Sequence, residues 1–303
     1  MKDENFINIG CASNNTYAQH LGVMLYSLLK NCSKPEKIKI FVMDGGISKE
    51  NKNKINSIAE LYSAQIKYLN PQKELIAGLK ECRHISTDAY YRFFIIENQN
   101  LKKILYLDAD LIVLDDIKKL WETKFEENII FAVKDPGGSD DKKKSLNIDK
   151  KEHYFNSGVM LIDCAKWKKE KITQRAINFM LNNPEKIEYA DQDGLNAVLK
   201  GKWREISPQW NLITRLIYYK YLPFLKVPNY EKENISVMIK NPKIIHYASF
   251  IKPWFFLDPS PYKSVYWDYI KETPWKDYKQ PDKSLKGIFQ RVSYYLRIIK
   301  EKF

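Results

Sequence analysis

Short apolar strands alternate with helical stretches over the first two-thirds of the chain, and this alternation constrains the fold more than any other feature. Phe6–Ala12 reads as a strand. Asn14 or Asn15 can cap the helix that follows, in which Tyr17, Leu21, Met24, Leu25 and Leu28 recur at helical spacing. Ile38–Met43 is a second strand, closed by Asp44-Gly45-Gly46, and Ser48 caps a Lys-rich helix to about Tyr62. Ile66–Leu69, Lys103–Leu107, Ile130–Val133 and residues 154–162 read as further strands, and Thr87–Asn98, about 165–183 and 191–200 as helices. Such alternation predicts an α/β fold with parallel strands and right-handed crossovers. Ligands of such sheets bind beyond the carboxyl ends of the strands. Residues 136–153 are polar and charged, and read as a lid or as an ordinary surface loop. From about residue 203 the pattern is less regular, with Trp203, Trp210 and a Tyr-rich run at 218–221.

The 303 residues suffice for one large or two small domains, and 44% hydrophobic with 29% charged residues describes a globular chain. Fifty basic against 37 acidic residues give a net charge of +13, which favours polyanionic partners: nucleic acid, phosphorylated substrates or anionic membrane surfaces. Twenty Tyr and seven Trp suit ring-shaped polar ligands, and ordinary cores equally. Cys11, Cys32, Cys82 and Cys164 are widely spaced without a CxxC pair, so neither a zinc site nor a disulfide framework is expected, and a reduced, cytosolic compartment fits best. MKDENFINIGCASNN lacks a basic segment followed by an apolar one, and no stretch approaches ~18 uninterrupted apolar residues. Neither a signal peptide nor a transmembrane helix is therefore expected.

The chemistry is concentrated in four stretches. In KILYLDADLIVLDD (103–116) an apolar strand ends in Asp108-Ala109-Asp110, where unpaired charge is costly. Two carboxylates where a strand breaks can converge as hard oxygen ligands on a divalent cation; a cap with loop charge is the plain alternative. In KIIHYASFIKPW (243–254), His246 ends another apolar strand and could close the same coordination sphere, a mixed set that suits Mn²⁺ better than Ca²⁺. Lys252 follows as a cation for a phosphate. In YFNSGVMLID (154–163), Asn156 and Ser157 precede a strand, and Ser157-Gly158 would let a ligand approach the backbone, or simply form a turn. In ADQDGLNAVL (190–199), Asp191, Gln192 and Asp193 stand at a helix start, where capping explains one of the three.

Together and in order, these stretches, with RHISTDAYYRF (83–93) and the Ala12-to-Tyr17 segment after the first strand, resemble the family 8 glycosyltransferases, particularly bacterial galactosyl- and glucosyltransferases of lipopolysaccharide and lipooligosaccharide. The resemblance spans about residues 6–260. It implies a GT-A fold: a Rossmann-like mixed sheet flanked by helices that binds a nucleotide sugar, here residues 1–260, followed by a C-terminal extension, 261–303. It implies a UDP-sugar donor (UDP-galactose or UDP-glucose), Mn²⁺ with Mg²⁺ as a substitute, a glycan or glycolipid acceptor, and transfer with retention. Asp108, Asp110 and His246 would hold the metal, with Ala109 between them, and Lys252 would add charge at the diphosphate. Arg92 would sit near sugar and phosphate, and Tyr17 would stack on uracil beside Ala12 and Asn14. Asp135, Asn156, Ser157, Asp191 and Gln192 would surround the donor sugar. Retention normally implies a carboxylate nucleophile. Here the matching residue is an amide, so same-face attack with Gln192 stabilising positive charge is favoured, and Asp191 is the alternative nucleophile. Two departures stand out: Asn14 and Asn15 where acidic residues are frequent, and Ser249 where the family's HxxGxxKPW motif has glycine.

In the tail, KSLKGIFQRVSYYLRIIKEKF (283–303), Leu285, Ile288, Phe289, Val292, Leu296 and Ile299 form one helical stripe, with Lys286, Arg297 and Lys300 away from it. Such a basic amphipathic helix fits the inner face of the cell membrane, which would make the protein cytoplasmic and peripherally attached; docking on the domain is the alternative. A nucleic-acid-binding protein is the rival of a different class, but no such motif accompanies the charge. Within the enzymes, a glycogenin-like self-glucosylating protein is the rival.

Overall fold

The computed structural model describes residues 6–79, 81–82, 87–97, 99–214, 238–248, 252–258 and 262–284, with residues 216, 235, 260, 288 and 289. The chain opens with β1 (Ile7–Ser13), α1 (Ala18–Lys30), β2 (Ile38–Asp44), α2 (Lys49–Leu61) and β3 (Gln65–Leu69). There follow α3 (Arg92–Glu97), β4 (Lys103–Leu107), β5 (Leu111–Val113), α4 (Lys118–Trp121), β6 (Ile130–Lys134), α5 (Asp140–Ser145) and β7 (Phe155–Asp163). The remainder comprises α6 (Cys164–Lys169), α7 (Ile172–Asn182), α8 (Asp191–Val198), β8 (Trp203–Glu205), β9 (Leu212–Ile213), β10 (Ile244–His246) and α9 (Lys263–Ile270).

Seven strands form one sheet in the order β3-β2-β1-β4-β7-β6-β8. β3, β2, β1 and β4 run parallel, as the alternation predicts. β7 runs against both β4 and β6, so the sheet is mixed rather than parallel throughout. That reversal matters for function. It brings the start of β7 to the sheet edge where β4 and β6 end, and Asp108 donates its backbone N–H to the carbonyl of Gly158 at 2.9 Å. A second, three-stranded sheet, β5-β10-β9, pairs His246 with Leu111, directly after Asp110. Helices cover both faces of the large sheet, and both faces of its central strands are buried.

Several local expectations change. The helix over 165–183 is two helices, α6 and α7, broken at Lys171, whose φ of +52° is left-handed. Thr87–Tyr91 is a 3₁₀ turn leading into α3, and Asn98 lies outside the described residues. The stretch 136–153 is a built segment: Ser139 caps α5, and Lys142 and Lys143 are buried. None of the four cysteines, all buried, forms a disulfide. Beyond Ser284, only Ile288 and Phe289 of the tail stripe fall within the described residues.

Candidate active site

The carboxylates at the end of β4 are fixed by their neighbours. Asp108 Oδ1 accepts from Arg92 Nη2 at 2.9 Å and from the Tyr106 hydroxyl at 3.0 Å. Asp110 Oδ2 accepts from Lys252 Nζ at 2.5 Å, and Lys252 also donates to the carbonyl of Tyr247 at 2.9 Å. Burial opposes the charge on Asp110, but the Lys252 ammonium outweighs it and holds its carboxyl well below the usual carboxylate range. Burial likewise disfavours the Lys252 ammonium, and Asp110 reverses that and raises its affinity for the proton.

β10 delivers His246 to the same place. Its Nε2 lies 3.4 Å from Asp110 Oδ1 and 3.8 Å from Asp108 Oδ2. Its Nδ1 lies 2.9 Å from Asn211 Oδ1, an amide oxygen that can only accept. Nδ1 therefore carries a proton, and Nε2 is the ring nitrogen that the neutral imidazole would offer as a ligand on the side of the two carboxylates. Ligand atoms of Asp108, Asp110 and His246 all lie within 4.8 Å of one another. A Cβ on Gly158 would stand 2.3 Å from His246 Cε1 and 2.8 Å from Asp108 Oδ2, so the close approach of these ligands requires glycine there. Two carboxylates and an imidazole oriented through its far nitrogen fit a divalent cation.

Beside this set, Arg92 links Asp108 to a second group. Its Nη1 donates to the carbonyl of Ser157 at 2.7 Å and pairs with Asp191 Oδ2 at 3.1 Å, where the Ser157 hydroxyl also donates, at 2.9 Å. Burial pushes the Asp191 carboxyl up to about 6, with Arg92 only partly offsetting it. No side chain caps α8, so capping does not account for Asp191; the helix starts after Ala190, whose φ of +47° and ψ of −126° are rare for a residue with a Cβ. Gln192 Oε1 accepts from Ser157 N–H and from Asn156 Nδ2, each at 3.1 Å. Gln192 Nε2 donates to Asp135 Oδ2 at 3.3 Å, and Asn156 Nδ2 donates to the same oxygen at 2.8 Å. Asn156 Oδ1 accepts from Asn211 Nδ2 at 2.8 Å, which ties this network back to His246.

The residues singled out from sequence thus assemble at one edge of the sheet: Arg92, Asp108, Asp110, Asp135, Asn156, Ser157, Asp191, Gln192, His246 and Lys252 form one hydrogen-bonded and ion-paired network. Ala109 is buried between the two carboxylates. Asn14, after β1, caps the turn before α1 by accepting from Tyr17 N–H at 3.0 Å, and its Nδ2 donates to Asp88 Oδ2 at 2.5 Å. Asn15 accepts from Ser48 N–H instead. Tyr17 is edge-on to Trp254, with ring centroids 5.8 Å apart, and Ala12 lies in β1. Ser249 lies outside the described residues. Asn211 and Tyr106 escaped sequence reasoning: one Asn before a short apolar strand and one Tyr within a strand carry no distinctive pattern.

Residues 8–258 match the family described as Glycosyl transferase family 8. The chain belongs to glycosyl transferase family 8. Within the family it is 34% identical over 287 residues to General stress protein A of Bacillus subtilis (strain 168), which covers 92% of this chain and 98% of that one. It is 26% identical over 275 residues to the lipopolysaccharide 1,2-glucosyltransferase of Escherichia coli (strain K12), covering 89% and 79%. The fold is similar to that of the galactosyltransferase LgtC, solved in complex with donor and acceptor sugar analogs, at a TM-score of 0.78 and 26% identity, covering 88% of this chain and 96% of that one. The mixed α/β architecture is accordingly that of GT-A glycosyltransferases. Among the described residues no helix is long and apolar enough to cross a membrane.

Proposed function

We propose that this family 8 member is a retaining hexosyltransferase that moves galactose or glucose from a UDP-sugar to a glycan acceptor of the lipopolysaccharide or lipooligosaccharide type. The observation that carries this reading is the convergence of Asp108, Asp110 and His246 Nε2 around the space that Gly158 leaves open. These three residues would hold Mn²⁺, or Mg²⁺ in its place. The cation supplies Lewis-acid neutralisation of the donor diphosphate.

The chain's own residues do the rest. Lys252 adds a positive charge at the diphosphate, and its pairing with Asp110 keeps it charged while buried. Arg92 spans Asp108 and Asp191 and so fixes the metal side of the site relative to the sugar side. Tyr17, Ala12 and Asn14 meet the uridine, and Ser249 belongs to the diphosphate segment by resemblance. Asp135, Asn156 and Ser157 hydrogen-bond the sugar and orient Gln192. An amide is a poor nucleophile, which favours same-face attack through an oxocarbenium-like state: a UDP oxygen takes the acceptor's proton, and the Gln192 carbonyl oxygen stabilises positive charge on the ring. Asp191 is the alternative nucleophile, but its Oδ2 is engaged by Arg92 and Ser157. The basic amphipathic segment 283–303 rests on the inner leaflet, where a glycolipid acceptor would be presented; truncation before Lys283 should then abolish binding to anionic vesicles, and unchanged binding would refute it.

Calorimetric titration of UDP tests the core of this reading. Binding should require Mn²⁺, vanish with chelator and be lost in Asp110→Asn. UDP binding indifferent to metal would contradict it.

A further inference from the structure

The segment that reads from sequence as a lid or surface loop sends a lysine into the interior beside the active site. Lys142, in α5, is only 6% exposed. Its Nζ lies 3.2 Å from Asp193 Oδ2 and 3.0 Å from Glu188 Oε1, and donates to the carbonyl of Lys186 at 3.2 Å. Asp193 is fully buried. Its Oδ2 also accepts the N–H groups of Glu188 and Tyr189, at 2.7 and 2.9 Å, and its Oδ1 accepts from the Tyr154 hydroxyl at 2.6 Å. Tyr154 has then spent its one proton and can only accept from Gln192, whose Nε2 stands 3.1 Å away. The loop is seated directly on this phenol, because a Cβ on Gly138 would come within 2.4 Å of Tyr154 Cβ.

We propose that Lys142 is a positioning residue for Gln192, acting through Asp193 and the Tyr154 hydroxyl. The inference rests on the reading above, in which the Gln192 carbonyl faces the donor sugar. An amide can turn end for end at little steric cost, so its orientation must be set by its partners. Tyr154 held as an acceptor, with Asp135 beside it, selects Nε2 on that side, and the Ser157 N–H and Asn156 Nδ2 select Oε1 on the other. Tyr154 is an acceptor toward Gln192 only while its own proton is held by Asp193 Oδ1. Among the described residues, Lys142, Glu188 and the phenols of Tyr154, Tyr189 and Tyr90 stand around Asp193, and Lys142 is a cation that faces it. Without that cation the buried carboxylate loses its ion pair and keeps the hydrogen bonds from the Glu188 and Tyr189 N–H groups and the Tyr154 hydroxyl. Entry of water at the carboxylate would relieve this loss and release the Tyr154 hydroxyl from Asp193. Gln192 Nε2 would then lose one of its two acceptors, and the amide would shift within the cradle of Ser157, Asn156 and Asp135, displacing the carbonyl oxygen that stabilises positive charge.

The test uses the full chain and three substitutions. Lys142→Met removes the charge at similar length, Lys142→Arg restores a cation, and Tyr154→Phe removes only the relay hydroxyl. Two quantities are read: kcat and KM for UDP release from the donor that the wild type turns over, and the side-chain amide ¹H–¹⁵N signals of Gln192, assigned by their loss in Gln192→Ala. Lys142→Met and Tyr154→Phe should each lower kcat about tenfold or more with KM within about twofold, since misplacement of a positioned group costs turnover rather than binding. The amide signals should shift in both and return in Lys142→Arg together with kcat. In a Gln192→Ala background Lys142→Met should cost nothing further. A folded Lys142→Met with wild-type kcat and unmoved amide signals would overturn the proposal, as would losses that multiply in the double variant. If Lys142→Met does not fold, Tyr154→Phe decides by the same criteria. A wild type that turns over no UDP-sugar overturns the functional reading instead, and the amide signals still decide the relay.

Discussion

Asn211 shows how far a single side chain reaches in this site. By accepting from His246 Nδ1 and donating to Asn156, it orients the histidine proposed to hold the metal and ties it to the group proposed to hold the sugar. Asn211→Leu should weaken Mn²⁺ binding by about 10- to 100-fold, the usual effect of losing an outer partner of a ligating histidine, with the fold retained. Titration of Mn²⁺ by electron paramagnetic resonance reads this directly, and an unchanged affinity would refute it. Asp191 makes a pH prediction. Its carboxyl titrates at about 6 in the folded chain against the ordinary 3.8. Between about pH 4 and pH 6 the folded state therefore holds a proton that the unfolded state has released, and the stability owed to this group falls as pH rises through that window. In chelator-treated protein, the melting temperature of Asp191→Asn relative to wild type should climb from pH 4 to pH 6 and level off above; a flat difference would contradict the assignment. Asp108, Asp110 and His246 were legible in sequence because carboxylates and a histidine at strand ends conflict with burial unless something positive joins them. Asn211 was not legible. Its partners lie 35 and 55 residues away in the chain, and only pairing between strands reveals them.

Among the elements, β7 and β10 do the assembling. β7 reverses the sheet, so Asn156 and Ser157 start beside the end of β4, and β10 pairs with β5 so that His246 lands next to Asp110. Gly158→Ala probes both, since its Cβ would collide with the His246 ring and the Asp108 carboxylate. Mn²⁺ affinity should fall at least about tenfold while most of the fold survives, because the strain is confined to the ligand cluster. The long strands and helices were readable from periodicity and caps. Of the second sheet only β10 was readable, as the apolar run that ends in His246; β5 and β9 were not, because strands of two or three residues are too short to show a period of two. The charged run of 136–153 misled for a different reason: lysines usually face water, and nothing local signals that Lys142 turns inward to a carboxylate 51 residues on.

At the scale of the whole molecule, the N- and C-terminal parts share one core. α9 packs on α1, with His20 Nδ1 2.7 Å from the Tyr266 hydroxyl, and Trp275 lies so close to Gly22 that a Cβ there would meet its ring at 2.2 Å. Trp275→Ala should lower unfolding free energy by about 3 kcal/mol or more, measured in denaturant, as for other buried aromatic truncations. Truncation after residue 260 should destabilise further, since it also removes Tyr266 and Ile270 from the core. The +13 charge is compatible with an enzyme whose donor is a diphosphate and whose acceptor lies on an anionic surface. The central claim is that Asp108, Asp110 and His246 form the metal site of a UDP-sugar-dependent transferase. UDP release from a panel of UDP-sugars, with and without Mn²⁺, for wild type and Asp110→Ala, tests it most directly. Mn²⁺-dependent release from UDP-galactose or UDP-glucose is expected, falling by about 100-fold or more in the variant, the scale of losing a charge-stabilising group. Release that is independent of Mn²⁺, or equal in the variant, would contradict it.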